Sequence, residues 1–175
     1  KLQAINGSFK TTTLNSDQAA ALAFYVQNEM RISDTKITFG LRHEEIETKK
    51  IVYGNLTRVK ESEQKLKQSI TLPGIGIYHQ VTQSLGLLGG VYQGFTAATA
   101  GNGNVEPEQS TNYEVGLRYI DHSQLEVIVF LNDYSQFSGT CSFSLGTCDA
   151  SNTGEQTNVG SAFVYGIEAS WSKDT

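Results

Sequence analysis

Apolar and polar residues alternate with a period of two along most of this chain. In residues 113–119, YEVGLRY, the odd-numbered side chains are apolar or aromatic, whereas the even-numbered ones include Glu114 and Arg118. Successive side chains of a β-strand point to opposite faces of its sheet. The pattern therefore predicts a strand with one apolar face and one charged face.

The same alternation recurs in residues 20–32, 37–42 and 162–171, and less cleanly in 125–132. Two Gly-rich runs near residues 69–80 and 85–97 are also interpreted as strands, although Pro73 marks the first as irregular because proline cannot donate to a sheet ladder. The chain as a whole is therefore predicted to be all-β. The seven strands are expected near residues 20–32, 37–48, 67–80, 85–98, 111–120, 124–138 and 159–173.

One face of this sheet is expected to contact lipid. Aromatic side chains near the short turns, Tyr119 and Trp171, are expected in an interfacial girdle. The residues predicted to face lipid are Leu22, Phe24, Val26, Phe39, Leu41, Tyr113, Val115, Leu117, Leu125, Val127, Val129, Phe163, Tyr165 and Ile167.

The connections between these segments alternate in length, which is typical of an outer-membrane barrel with short turns at one end and long loops at the other. Two segments supply ten or more alternating positions, as a tilted membrane strand requires. The short connections are residues 33–36, 81–84 and 121–123, and the long ones are residues 48–66, 98–110 and 139–159.

An antiparallel up-and-down meander of about seven strands does not close a bacterial barrel, which needs an even number of strands. We therefore expect residues 1–175 to be a partial β-barrel domain, a fragment of a larger transmembrane barrel. Residues 58–68 carry mixed charge and are interpreted as a mobile extracellular loop that extends a strand, with an iron-chelate contact as the alternative.

Composition excludes several other classes of protein. Charged residues make up only 18% of the 175 residues, and 8 Tyr, 8 Phe and one Trp argue against disorder. The 17 glycines argue against a helical bundle, and the net charge of −5 argues weakly against nucleic-acid binding. No stretch approaches the roughly 20 apolar residues of a membrane helix.

Two cysteines, Cys141 and Cys148, lie within one long connection. A zinc site would need more cysteine or histidine ligands nearby, and His79 and His122 are distant in sequence. The pair therefore favours a disulfide within the loop, which implies an oxidising compartment.

No catalytic constellation is evident, so the chain is not expected to be an enzyme, and no cofactor or metal is predicted. The three histidines are isolated, and no motif places Ser, His and Asp together. Glu44, Glu45 and Glu47 could bind a cation, but a solvated strand end is the better interpretation.

Several motifs resemble those of TonB-dependent outer-membrane receptors. Residues 105–119, VEPEQSTNYEVGLRY, resemble the family signature P-E-x-S-x-x-Y-E-x-G-x-R, and residues 88–95, LGGVYQGF, resemble the strand before it in ferric-citrate-receptor-like members. AFYVQNE at 23–29 with ITFGLR at 37–42 resembles the family hairpin, and GIE at 166–168 its G-x-E strand. The motifs follow the family's order over about residues 20–172.

The resemblance implies a 22-strand barrel around an N-terminal plug, which imports iron chelates such as siderophores or ferric citrate. It implies the outer membrane of a Gram-negative bacterium, with lipid, the plug and an inner-membrane energy-coupling protein as partners. This chain contains no recognisable plug. The alternatives are a non-transporting adhesin-type surface barrel and a soluble all-β binding module.

The resemblance also implies a role for Glu114, because the family uses lumenal glutamates to contact plug arginines. Glu29 is a second, weaker plug-contact candidate. At Glu114, a carboxylate away from bulk water is expected to need a cationic partner. The alternative for Glu114 is a cross-strand pair within the barrel wall.

Overall fold

A computed structural model describes residues 2–5, 8–11, 14–100, 105–142, 144 and 156–173. The described residues are almost entirely strand, and they contain no helix long and apolar enough to cross a membrane. The strands are β1 Leu2–Ile5, β2 Ser8–Thr11, β3 Leu14–Ile32, β4 Thr35–Tyr53, β5 Lys60–Gln80, β6 Leu85–Thr96, β7 Glu108–Ile120, β8 Ser123–Thr140 and β9 Gln156–Lys173.

Strands β3 to β9 form one seven-stranded sheet in which each strand pairs antiparallel with the next in sequence. This confirms the predicted up-and-down meander. The one sheet, rather than two packed sheets, is unlike the sandwich considered as a soluble alternative. A separate two-stranded hairpin, β1 with β2, was not predicted because its strands of four residues each are too short to show a clear alternation.

All seven predicted strands are present, and several are longer than predicted. Strands β3 and β4 remain paired as far as Leu14 opposite Tyr53, and β5 begins at Lys60. The interpretation of residues 58–68 as a mobile loop is therefore wrong from Lys60 onward. The strand in residues 60–66 was missed because it places charged and polar residues opposite each other, as Lys49 lies opposite Lys65 and Lys50 opposite Gln64, instead of alternating apolar with polar ones.

The strand register places every residue predicted to face lipid on one side of the sheet, here called the apolar face. Leu41 lies opposite Pro73, and Val129 lies opposite both Val115 and Ile167. Tyr119 and Trp171 lie at the short-turn end of the same face, on either side of Leu125. The predicted facing is thus confirmed as a shared face.

The opposite side, here called the polar face, carries Glu114 and Arg118, as expected. Near its long-loop end, the segment that follows β6 packs against β4 and β5. The Ala98 backbone N–H donates to Gln68 Oε1 at 3.1 Å, and Thr48 Oγ1 donates to the Ala98 carbonyl at 3.4 Å. Ala100 and Val105 in the same segment are buried, at 1% and 8% exposed, and so is Ile46 on β4.

Pro73 lies where the ladder between β5 and β6 ends. The last pair is Gly74 with Tyr92, and beyond it β5 pairs with β4 alone. Because proline has no N–H to donate, it is tolerated where the neighbouring ladder has stopped. The irregular position predicted for Pro73 is therefore the point at which the ladder between β5 and β6 ends.

Candidate functional site on the polar face

Glu114 lies in the middle of the polar face, opposite Gly90 on β6 and Phe130 on β8. Gly90 in turn lies opposite Gly76, so two adjacent strands carry no side chain beside the carboxylate. A Cβ at Gly76 would meet only ordinary contacts, its nearest neighbour being the Gly89 carbonyl at 3.8 Å. The packing of the described residues therefore does not itself require glycine at that position.

The only partner of Glu114 among the described residues is a phenol. Tyr92 Oη on β6 donates a hydrogen bond to Glu114 Oε1 at 2.5 Å. Arg118, on the same strand and face, instead pairs with Glu126 directly across the ladder, with Arg118 Nε 2.5 Å from Glu126 Oε2. The hydrogen bond orients the Glu114 carboxylate, but no cation in the described part of the chain neutralises it.

Glu29, the second candidate, is already compensated. Lys36 Nζ lies 3.3 Å from Glu29 Oε2 within the β3–β4 hairpin. Both side chains are partly exposed, so the pair is weak in energy, but it supplies the cation that Glu114 lacks.

Glu168 on β9 is a further candidate for a plug contact that the local sequence pattern did not single out. It lies on the polar face opposite Ile128, which is itself opposite Gly116 on β7. The described residues offer it no hydrogen bond and no ion pair. The signal that could have identified it is the G-x-E motif, which places Glu168 on the face opposite Ile167.

The three carboxylates Glu44, Glu45 and Glu47 do not converge on a cation site. Glu44 lies on the polar face and accepts a hydrogen bond from Arg42 Nε at 2.5 Å. Its neighbours point to the opposite side, where Lys67 Nζ lies 3.4 Å from Glu47 Oε2. Within the described ranges no group of three potential metal ligands exists.

Two carboxylates without a cation, Glu114 and Glu168, thus share the central part of the polar face on alternate strands β7 and β9. A carboxylate in this position is suited to bind a guanidinium or ammonium group supplied by another segment, since such charge-assisted hydrogen bonds are the strong ones. A hydrogen bond from a neutral donor alone, such as the one from Tyr92, leaves the negative charge of the Glu114 carboxylate in place.

The structure tests the predicted disulfide only in part. Cys141 follows β8 directly and is 2% exposed, and there is no free cysteine in the part of the chain that the structure describes. Cys148 lies outside the described residues. The pairing of Cys141 with Cys148 therefore stays a prediction.

Near the far end of the β4–β5 hairpin lies a cluster of charges around Glu63. Its carboxylate bonds to the ammonium group of Lys60, and Lys49 Nζ lies 3.2 Å away. The hydrogen bonds that Glu63 accepts from the two lysines lower its pKa below the usual value of 4.5, and the bond from Lys60 contributes more than the bond from Lys49.

The family described as TonB dependent receptor-like, beta-barrel matches residues 2–174 of this chain. Among solved structures, the siderophore receptor PiuA from Acinetobacter baumannii is 15% identical with a TM-score of 0.75, over 91% of this chain and 24% of its own. The alcaligin outer-membrane receptor FauA from Bordetella pertussis is 15% identical with a TM-score of 0.73, over 91% and 28%. The ferric citrate transporter FecA is 21% identical with a TM-score of 0.71, over 96% and 24%.

The chain spans about a quarter of the length of these structures, and at such identities the likeness shows the fold alone. No curated protein matches the chain in sequence.

Proposed function

The chain belongs to the TonB-dependent receptor β-barrel family, and on that premise we propose that it forms part of the wall of an outer-membrane receptor that imports an iron chelate. The receptor would lie in the outer membrane of a Gram-negative bacterium and draw energy from an inner-membrane partner. Members of this family are transporters and not enzymes. The solved relatives include receptors named for siderophores and for ferric citrate, so the proposed cargo is a chelate of one of these classes.

The observation that supports a membrane wall is the division of one sheet into two faces. Across the middle of the strands the apolar face is continuous, and the charged residues at this level, such as Glu114, lie on the other side. Paired positions along one row of the apolar face are Ile37, Ile77, Gly89, Val115, Val129 and Ile167. A sheet with this division is stable when one face contacts lipid and the other contacts water or protein.

We further propose that Glu114 and Glu168 together hold cationic side chains of a plug inside the barrel. The support is their lack of a cation on a face where Glu29, Glu44 and Glu126 each have one. Glu29 remains the weaker candidate because Lys36 already neutralises it. The hydrogen bond from Tyr92 would fix the direction of the Glu114 carboxylate before the plug contact forms.

The test measures uptake of radioactive iron by cells that carry the full-length receptor, with ferric citrate, ferric alcaligin and a ferric catecholate as probes. Close charge pairs between protein surfaces couple by about 1.5 kcal/mol or more, which is roughly tenfold in an equilibrium. We therefore expect the double variant Glu114→Gln with Glu168→Gln to lower uptake about tenfold at normal outer-membrane abundance. Each single variant should lower it less.

The matched control is Glu47→Gln, which removes a carboxylate that is paired with Lys67 on the other side of the sheet. It should leave uptake unchanged. Normal uptake by the double variant at normal abundance would contradict the proposed plug contact.

A further inference from the structure

At their long-loop ends β7 and β8 are joined by side chains, whereas β8 and β9 stay paired through an irregular ladder. The pairing of β7 with β8 ends at Gln109 opposite Ser135. Beyond it the register between β8 and β9 shifts on both sides of Phe137, and Gln136 has a positive φ of 56 degrees. A non-glycine residue in this conformation bends the strand, and such bulges re-aim the chain that follows.

Glu108 bonds to Ser138 on the β7 side of β8, where the backbone ladder between these two strands has ended. Its Oε1 accepts hydrogen bonds from the Ser138 backbone N–H at 2.8 Å and from Ser138 Oγ at 2.6 Å. A carboxylate that accepts two bonds holds them more strongly than a neutral acceptor would. The first residue of β7 therefore fixes β8 beyond the bulge.

Asn158 on β9 reaches past β8 to the segment that precedes β7. Its Oδ1 accepts from the Glu106 backbone N–H at 3.0 Å, and its Nδ2 donates to the Glu106 carbonyl at 3.2 Å and to the Gln136 carbonyl at 2.7 Å. Pro107 restricts the residue before it to an extended conformation, which suits this two-point contact. The side chain of Asn158 thus joins β9 to β8 and to the segment that precedes β7.

We propose that Glu106, Glu108, Gln136, Ser138 and Asn158, here called the rim clasp, position the base of the β8–β9 connection for contact with the imported ligand. Cys141, which follows β8, is buried only three residues beyond Ser138. The inference goes beyond the wall and the plug contact, but its ligand part rests on the proposed function. The rim clasp residues are positioning residues, and none of them is assigned a direct contact with the ligand.

The positioning itself is tested by hydrogen–deuterium exchange of the full-length receptor, without any ligand. Asn158→Leu and Glu108→Ala should each raise the exchange rate of the amides in residues 137–142 by about tenfold, because each removes bonds that hold β8 beyond the bulge. Glu108→Gln retains Oε1 as a weaker, neutral acceptor, so its exchange rate should lie between those of Glu108→Ala and the unaltered receptor. Asn132→Leu is the matched control, since the side chain of Asn132 makes no hydrogen bond to the described residues, and it should leave exchange unchanged.

The consequence for the ligand is measured as affinity for the same iron-chelate panel, at equal outer-membrane abundance. We expect Asn158→Leu and Glu108→Ala to weaken binding about tenfold because a connection released at its base loses more conformational freedom on binding, and Glu108→Gln to restore part of the affinity. Unchanged exchange in both clasp variants would overturn the inference, and so would faster exchange with unchanged affinity. If the unaltered receptor binds no chelate in the panel, the proposed function fails, while the exchange rates still decide whether the rim clasp positions this connection.

Discussion

On the apolar face Val129 lies between Val115 and Ile167, and any of the three could exchange with another apolar residue of similar size. One residue earlier, on the polar face, Ile128 lies between Gly116 and Glu168, and neither neighbour is interchangeable in this way. A Cβ added at Gly116 would lie 2.5 Å from the Val127 carbonyl oxygen. The apolar face is therefore specified by a shared property of its residues, whereas the polar face is specified residue by residue.

This difference has a physical origin. Lipid is a uniform solvent, so the apolar face needs only to exclude charge and unpaired polar groups. The polar face makes directional contacts, such as Arg118 with Glu126 and Tyr92 with Glu114, and each depends on two particular side chains at a particular register. Substitutions at adjacent residues on opposite faces should separate the two kinds of constraint.

The largest expected effect comes from a charge on the apolar face. Val129→Arg in the full-length receptor should destabilise the barrel by about 2–4 kcal/mol, the cost of a lipid-facing arginine near the middle of a membrane. Ile128→Arg, the adjacent residue on the polar face, should cost much less because its charge can reach water and lies near Glu168. The measurement is the folded fraction in the outer membrane, resolved by heat-modifiable electrophoretic mobility, and equal losses in the two variants would contradict the assignment of the faces.

The next effect tests the polar face through its glycines. Gly116→Ala would bring a methyl group against the backbone of β8, which cannot move without breaking the ladder, and overpacking of this kind costs about 1–3 kcal/mol. Gly76→Ala is the matched control, because its Cβ would have no neighbour closer than 3.8 Å. We expect a lower thermal midpoint for the folded receptor with Gly116→Ala and no change with Gly76→Ala. A reversed order would show that the space above Gly76 is filled in the complete receptor.

The same difference explains what the sequence could predict. Alternation is a local property, so seven strands and their apolar face follow from residues close together in the chain, such as Tyr113 and Val115. The partner of Glu114 could not be predicted in this way, because Tyr92 lies 22 residues earlier and meets it only through the register of β6 with β7. A motif pointed to Glu114, but nothing local distinguishes a glutamate that has a cation, such as Glu29, from one that has none, such as Glu168.

The outer parts of the strands were missed for a related reason. Between Lys60 and Leu66 the chain has no apolar alternation, and its strand is held by backbone pairing with β4 and by charges across the ladder. The rim clasp was also beyond local reasoning, since Asn158 contacts Glu106 from 52 residues away. Period-two patterns reveal strands that separate lipid from water, and they reveal little about strands that have water on both sides.

The smallest expected effect concerns this water-exposed extension and depends on pH. Because Lys60 and Lys49 lower the pKa of Glu63 in the folded hairpin, the unfolded hairpin binds a proton more readily than the folded one does. The stabilisation by Glu63 is therefore fully present above its unfolded pKa, near the usual 4.5, and is lost as the pH falls through the lower folded value. The measurement is hydrogen exchange of the amides in residues 60–66 of the full-length receptor, corrected for the intrinsic effect of pH on exchange. It should show a small loss of protection between about pH 5 and pH 3, roughly the window in which carboxylates titrate.

Glu63→Gln should remove that pH dependence, whereas Glu61→Gln, whose carboxylate has no lysine partner in the described residues, should retain it. A pH dependence that survives in Glu63→Gln would assign the loss to another group and would leave backbone pairing with β4 as the main stabilising contact of the extension.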